Sequence, residues 1–406
     1  MERTVEPASV GFDAAALANL DRHFAAYVDD GRLAGWQMVV TRKGEVAHAS
    51  TYGLADMESG TPVASDTLWR IYSMTKPITS VAAMMLWEEG RFELTDEISR
   101  WLPEFADMRV FDKGSILKPV TVPATEPMRV WHLMSHTAGL TYGFLMSSNV
   151  DALYRAAGDN MDTFTTGDLA EACRRWASMP LMFNPGSQWG YSVATDVLGR
   201  LIEVISGQSL GDFFADRILG PLGMSDARWW VDDTDARRLA GLYVPHPQTG
   251  TAVRMPSMDH FAREKPNMFS GGAGLICTAD DYHRFTQMML RGGELDGVRL
   301  LGNRTVAFMT RNHLPGGADL GTVGSGFAES ILDGIGFGLG VAVVLDPTPG
   351  KVPQTEGSYY WGGLASTAFW IDPVEELTAM FFTQLIPSGQ YPIRTQMRQL
   401  VYSALR

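Results

Sequence analysis

Two cysteines in 406 residues, Cys173 and Cys277, cannot build a disulfide framework. They are expected to be small buried hydrophobes. Basic residues are also short: 33 Lys and Arg stand against 46 Asp and Glu, a formal net charge of −13. Such a surface repels nucleic acid and anionic membrane, so neither is an expected partner, and strongly anionic substrates are disfavoured. No run of about eighteen apolar residues is present to span a bilayer. The first residues, "MERTVEPASVGF", lack the apolar centre of a secretory leader, so a cytoplasmic location is the expectation. There is no His-Glu-x-x-His and no clustered Cys/His spacing, so neither a metal nor another cofactor is expected. Gly-x-Ser-x-Gly is missing too. A Ser-His-Asp hydrolase therefore lacks its nucleophile turn, and His132 and His136 are expected to be structural. No internal repeat or low-complexity tract is visible.

What remains is an ordinary globular composition, 45% hydrophobic and 19% charged, in a chain long enough for one large domain or two. "GFDAAALANLDRHFAAYV" predicts a helix, with Asp13 as N-cap and Leu17, Leu20, Phe24 and Val28 on one face. "GWQMVVTR", "KGE" and "VAHASTYG" predict a hairpin around a glycine turn. Near the other end, "GFGLGVAVVL", "SYYWGGLASTAFWI" and "ELTAMFFTQLI" read as three strands, and "YPIRTQMRQLVYSAL" as a closing helix. The glycines at 334, 336, 338 and 340 leave one smooth strand face; a dinucleotide fingerprint would need a following helix. Strands at both ends imply an α+β fold, an α/β sandwich with one antiparallel sheet built from both termini and flanked by the terminal helices. Residues 1–95 plus 256–406 would form that domain, and 96–255 a mainly helical inserted domain, with the active site in the cleft between them. Within the insert, "TDEISRWL" predicts a helix capped by Thr95; "GDLAEACRRWASM" and "SVATDVLGRLIEVISG" predict two more. Loops at 313–326 and 346–357 are candidates for the rim of a site.

The motif with chemistry in it occurs twice. "YSMTKP" (72–77) and "GSILKP" (114–119) both contain Ser-x-x-Lys-Pro. Residues i and i+3 share a helix face, so a lysine with a depressed pKa can take the proton of such a serine. The tetrad therefore needs a helix that begins near the serine, where free backbone N–H groups and the positive dipole end also lie. After Ser73 comes "ITSVAAMMLWEEG", a good helix former. Proline is tolerated only in a first turn, so Pro77 places the start at about Ser73. After Ser115 comes "VTVPATEP", and no helix can follow. Ser115 and Lys118 read as plain surface positions.

Three further features accompany Ser73 and Lys76. "NPGSQWGYSVATDVLGRLIE" delivers Tyr191 and Ser192 just before a helix, with Ser192 read as its N-cap. "SYYWGGLAST" sets two glycines in a strand, which implies close approach of backbone or ligand. "LMSHTAGL" (133–140), "SGGAGLICTADDYHRF" (270–285) and "GFGLGVAV" (336–343) complete the set. In order and spacing, over about Leu17 to Leu385, these stretches resemble the serine β-lactamase and penicillin-binding-protein superfamily. Two departures narrow the resemblance. Where class C β-lactamases have Tyr-x-Asn, this chain has Tyr191-Ser192-Val193; where they have Lys-Thr-Gly, it has Trp361-Gly362-Gly363. Loss of that Asn and Lys leaves a more apolar, less anion-seeking cleft. The combination is similar to the family VIII carboxylesterases.

That resemblance implies a β-lactamase-like fold and a cofactor-free serine carboxylesterase acting on short- to medium-chain esters of small molecules. Ser73 would attack the ester carbonyl, with Lys76 and Tyr191 as a proton relay. Which of the two is the base stays open, though a cationic Lys76 holding Tyr191 partly deprotonated is the expectation. The oxyanion hole would be the backbone N–H groups of Ser73 and Leu364. Trp361, Gly362, Gly363 and Val193 would line the substrate site. The same scaffold also admits an acyltransferase, a β-lactamase or D-Ala peptidase with weak β-lactam turnover, or a silent acyl-binding protein.

Overall fold

The computed structural model describes residues 1–159, 167–325 and 332–406. Alternating and continuous apolar runs near the two chain ends form one eight-stranded antiparallel sheet. Its strands are β1 (Gly35–Arg42), β2 (Glu45–Asp56), β3 (Thr61–Pro62), β4 (Ile335–Phe337), β5 (Ala342–Val344), β6 (Tyr359–Gly362), β7 (Ala368–Asp372) and β8 (Leu377–Phe382). The order β4-β5-β6-β7-β8-β1-β2-β3 makes β8–β1 the seam between the two ends, with Gln37 opposite Phe382 and Arg42 opposite Leu377. Every residue of β1 from Gly35 to Thr41 is buried, as a strand covered on both faces must be.

The helices that matter for the site are α1 (Ala14–Asp29), α2 (Thr75–Glu88), α3 (Leu169–Ala177), α4 (Ala194–Ser206), α5 (Ala279–Leu290) and α6 (Ile393–Ser403). Their ends carry the expected chemistry. Asp13 accepts from the N–H groups of Ala15 and Ala16, and Gly207 closes α4 in the left-handed region at φ +76°. Phe24 of α1 meets Phe381, with ring centroids 4.9 Å apart, and Tyr282 of α5 meets Phe369 at 5.2 Å. Phe369 is paired with Met380 across the β7–β8 ladder. Neighbouring residues of a strand face opposite sides, so α1 and α5 cover opposite faces of the sheet. Helix α4 packs on α2 away from the sheet. Among the described residues no helix is long and apolar enough to cross a membrane. Cys173 and Cys277 are both buried free thiols.

Three expectations need correction. "GFGLGVAVVL" is not one strand but the β4–β5 hairpin, because Gly340 at φ +102° turns the chain. "SYYWGGLASTAFWI" is likewise the β6–β7 hairpin, reversed through Gly363–Thr367 with Ser366 at φ +67°. "TDEISRWL" forms only a single 3₁₀ turn, Ile98–Arg100. Pro103 pushes Leu102 out of the helical region, to φ −122° and ψ 76°, and leaves no room for a second turn. The Pro-rich stretch after Ser115 is the second strand of an exposed hairpin, Arg109–Ser115 with Lys118–Pro123. Ser115 and Lys118 face each other across its tip.

Candidate active site

Ser73 lies in a 3₁₀ turn, Tyr72–Met74, that runs directly into α2. Tyr72 has φ +45°, a left-handed conformation that a bulky residue keeps only when its surroundings impose it. The first turn of α2 is tied to the glycine-rich loop at 270–275. Thr75 Oγ1 accepts from the Leu275 N–H at 3.1 Å, and the Thr79 hydroxyl donates to the Gly271 carbonyl at 2.6 Å. From above, the Tyr282 hydroxyl of α5 donates to the Met74 carbonyl at 2.9 Å.

One turn after Ser73, the Lys76 side chain is only 1% exposed. Its Nζ donates to the Gly272 carbonyl at 2.7 Å, to Tyr142 Oη at 3.0 Å and to Ser73 Oγ at 3.2 Å. Tyr191, which enters just before α4, donates its hydroxyl to Ser73 Oγ at 2.7 Å. The Trp361 indole N–H points at the same phenol oxygen, 3.4 Å away. Behind Lys76, the buried Asp196 of α4 accepts from the Ser270 hydroxyl at 2.6 Å and the Gly272 N–H at 3.0 Å. It thereby fixes the carbonyl that receives the lysine. A Cβ at Gly272 would strike that carboxylate, which is why the loop needs glycine there.

Burial governs the electrostatics. Desolvation lowers the Lys76 pKa to about 7, against the pull of the Asp196 charge. Desolvation raises the Tyr191 phenol above its ordinary value, opposed by its hydrogen bonds with Ser73 and Trp361 and by the Arg394 charge. Tyr142 is raised well above the usual tyrosine range by the same cause. At neutral pH the phenols hold their protons, and it is the lysine that can lose one.

Ser73, Tyr191, Trp361, Gly362 and Leu364 share the wall of one cavity of about 210 Å³. Among the described residues the Leu364 N–H has no hydrogen-bond acceptor. Gly363 and Val193 do not line that cavity. Gly363 is wedged between Thr367 and the Ile71 backbone. Val193 is the N-cap of α4, its side chain buried in the core, with Ser192 one step upstream accepting from the Ala194 N–H at 3.3 Å. His136 Nδ1 is hydrogen-bonded with Ser192 Oγ at 3.3 Å, and its ring centroid lies 4.9 Å from that of Tyr191, the planes tilted by 56°. Burial and the Lys76 charge hold it far below the ordinary imidazole pKa, so it is a neutral wall behind the phenol. His132 accepts the Arg129 N–H on Nδ1 and is pushed down to about 4 by burial. Among the described residues no group of three or more His, Cys, Asp or Glu could hold a metal ion.

The rim differs from expectation. Neither 313–325 nor 346–357 contributes to the cavity wall, and Gly326 lies outside the described residues. The rest of the apolar wall comes instead from residues that include Phe144, Trp229, Met258, Phe261 and Met268. Tyr142 and Phe144 were within reach of sequence reasoning, two and four residues beyond "LMSHTAGL". The 256–268 stretch carries no comparable signal, because its apolar residues follow neither strand nor helix periodicity.

A family model described as Beta-lactamase matches residues 20–402. Esterase EstB of Burkholderia gladioli is 34% identical over 98% of this chain and 99% of its own. Acyltransferase calJ of Penicillium decumbens is 27% identical over 91% of this chain and 88% of its own. Among solved structures, EstCE1, described as a hydrolase with promiscuous acyltransferase activity, superposes with a TM-score of 0.77 at 29% identity, covering 96% of this chain and 99% of that one.

Proposed function

Because the chain belongs to the β-lactamase family and is a serine hydrolase on that scaffold, we propose that it cleaves small apolar carboxylic esters through an acyl-enzyme on Ser73. The observation that carries this reading is the double contact of Ser73 Oγ, 3.2 Å from Lys76 Nζ and 2.7 Å from Tyr191 Oη, at the wall of a mostly apolar cavity whose lining also includes Arg70, Glu264 and Lys265. With its pKa near 7, Lys76 takes the Ser73 proton as Oγ attacks the ester carbonyl. Tyr191, still protonated, gives its proton to the departing alkoxide, and the Lys76 ammonium, with Nζ 4.7 Å from the centroid of the Tyr191 ring, returns a proton to the phenolate. In the second half a water takes the place of the alcohol, loses a proton to the Lys76–Tyr191 pair as it attacks the acyl carbonyl, and the pair returns that proton to Ser73 Oγ as the acid leaves. The N–H groups of Ser73 and Leu364 receive the oxyanion, and one such donor is worth about 2.7–4 kcal/mol.

The site sits between the sheet-bearing parts, 1–95 and 256–406, and the inserted 96–255. A volume of about 210 Å³ falls below the ~300 Å³ at which cavities for drug-sized ligands begin, which supports short- to medium-chain esters. Intact-mass measurement after brief exposure to p-nitrophenyl butyrate is expected to show one butyryl adduct, mapped by peptide digestion to Ser73. An adduct elsewhere, or turnover with none, would sink the reading.

Tyr191→Phe keeps the ring packing and removes the acid. A fall in kcat of roughly 10²–10³-fold with KM little changed is expected, the usual range for a lost general acid. An unchanged kcat would remove Tyr191 from the relay. With an indole, Trp361, on the cavity wall where the resemblance implies an ammonium would grip a β-lactam, a chromogenic cephalosporin should turn over far more slowly than p-nitrophenyl esters. Efficient cephalosporin cleavage would contradict the esterase assignment.

The printed activities of EstCE1 and calJ favour acyl transfer as a second reading. Product analysis with an added acceptor alcohol separates the two. Free acid dominating at all alcohol concentrations marks a hydrolase, and new ester dominating marks a transferase.

A further inference from the structure

We infer that Arg394, on the closing helix α6, is a positioning residue that aims and polarises the Gly363–Leu364 peptide as an oxyanion donor; this rests on the acyl-enzyme reading above. The Arg394 Nη2 donates to the Gly363 carbonyl at 3.0 Å and to the Thr367 carbonyl at 3.1 Å. These carbonyls stand at the two ends of the turn that joins β6 to β7. The Gly363 carbonyl belongs to the same peptide unit as the Leu364 N–H. In a trans peptide the two point in opposite directions, so a guanidinium anchored behind the carbonyl sends the N–H the other way. Leu364 and Ser73 line the same cavity, and this N–H has no acceptor among the described residues. A cationic donor on the carbonyl also draws electron density through the amide and strengthens its N–H as a donor.

The turn is built to admit this contact. A Cβ at Gly362 would run into the Arg394 guanidinium, and one at Gly363 into the Thr367 hydroxyl and the Ile71 carbonyl, two residues before Ser73. The glycine pair thus lets the turn fit between the arginine and the nucleophile's own turn. Internal bonds complete it. Gly363 N–H donates to the Thr367 carbonyl at 2.9 Å, Ser366 N–H to the Gly363 carbonyl at 3.1 Å, and the Ser366 hydroxyl to the Leu385 carbonyl at 2.8 Å. The Gly363 oxygen therefore accepts from both Ser366 and Arg394. Burial lowers the guanidinium pKa to about 10, so it stays charged at neutral pH, and the same charge pulls the Tyr191 phenol down against its own burial.

Arg394→Met removes the charge and the donor; Arg394→Lys keeps the charge on a shorter side chain with a differently placed nitrogen. For Arg394→Met, kcat for p-nitrophenyl butyrate is expected to fall by roughly 10–100-fold with KM within about twofold, somewhat less than loss of a whole oxyanion donor. Affinity for phenylboronic acid, which forms a tetrahedral adduct on the serine, should fall by the same factor. The infrared stretch of the acyl-enzyme carbonyl should move to higher frequency, with Arg394→Lys between the two. A folded Arg394→Met protein with wild-type kcat overturns the inference. So does lower kcat with unaltered boronate affinity and carbonyl frequency, which marks a merely structural role. If Arg394→Met does not fold, Arg394→Lys decides by the same readouts. Failure of the wild-type protein to acylate at all falsifies the parent reading instead, and is visible before any variant is made.

Discussion

Ser73→Ala is expected to abolish ester turnover while leaving a folded protein. Loss of the nucleophile in a serine hydrolase costs on the order of 10⁴–10⁶ in kcat, since the remaining relay and oxyanion donors have nothing to act through. Stability should change little. The hydroxyl is only partly buried, and its bonds to Tyr191 and Lys76 together contribute about 1–2 kcal/mol, part of which returns when a desolvated polar cluster is relaxed. Initial rates with p-nitrophenyl butyrate, paired with a thermal melt, give both numbers. A variant that melts normally and still cleaves the ester within tenfold of wild type would end the case for Ser73.

Lys76→Met is the second large effect, with kcat expected to fall by roughly 10³-fold or more, as for other nucleophiles deprived of their base. The pH dependence carries the more specific test. Lys76 is cationic below its pKa of about 7 and neutral above it, so kcat/KM should rise with pH through that value and then level off. Because burial raises the Tyr191 phenol, the proton it must donate is still held on the plateau, and any alkaline decline should come well above neutrality. The residual activity of Lys76→Met should lack the acid limb. A limb that survives the substitution belongs to another group and would remove Lys76 as base.

Stability has a matching signature. The folded-state pKa lies below the ordinary 10.5, so between about 7 and 10.5 the unfolded chain binds the extra proton. Wild-type stability relative to Lys76→Met should therefore increase with pH across that window and be flat below it. Denaturant titrations at pH 6.5 and 9.5 read the difference, and an equal gap at both would show that the amine is not perturbed.

The choice between the two Ser-x-x-Lys-Pro copies needed nothing beyond the chain. Pro77 fits a first helical turn, and α2 forms behind it; the prolines after Lys118 forbid a helix, and that stretch is a strand. The sheet shared by both chain ends was legible for a similar reason, since period-two patterns and the Lys43-Gly44 turn are local. Where a strand stops was not. Two runs that read as single strands break at Gly340 and Ser366, and their alternation of apolar residues continues across the break. Arg394 escaped because an arginine on an amphipathic helix looks the same in sequence whether it faces water or the turn beside a nucleophile.

The sequence by itself determined which serine heads a helix, which ends share a sheet, and which polar anchors for a β-lactam are missing. The first two follow from residue identity and local periodicity, and the third from the resemblance to class C β-lactamases. Only the tertiary structure decided that Lys76 and not Tyr191 is the group able to lose a proton near pH 7, because desolvation depends on what packs around each side chain. It also decided that Phe144, Trp229 and residues of the 256–268 stretch share the cavity wall with Trp361 and that α6 reaches the turn bearing Leu364. Those are contacts between segments far apart in the chain, and no local pattern encodes them.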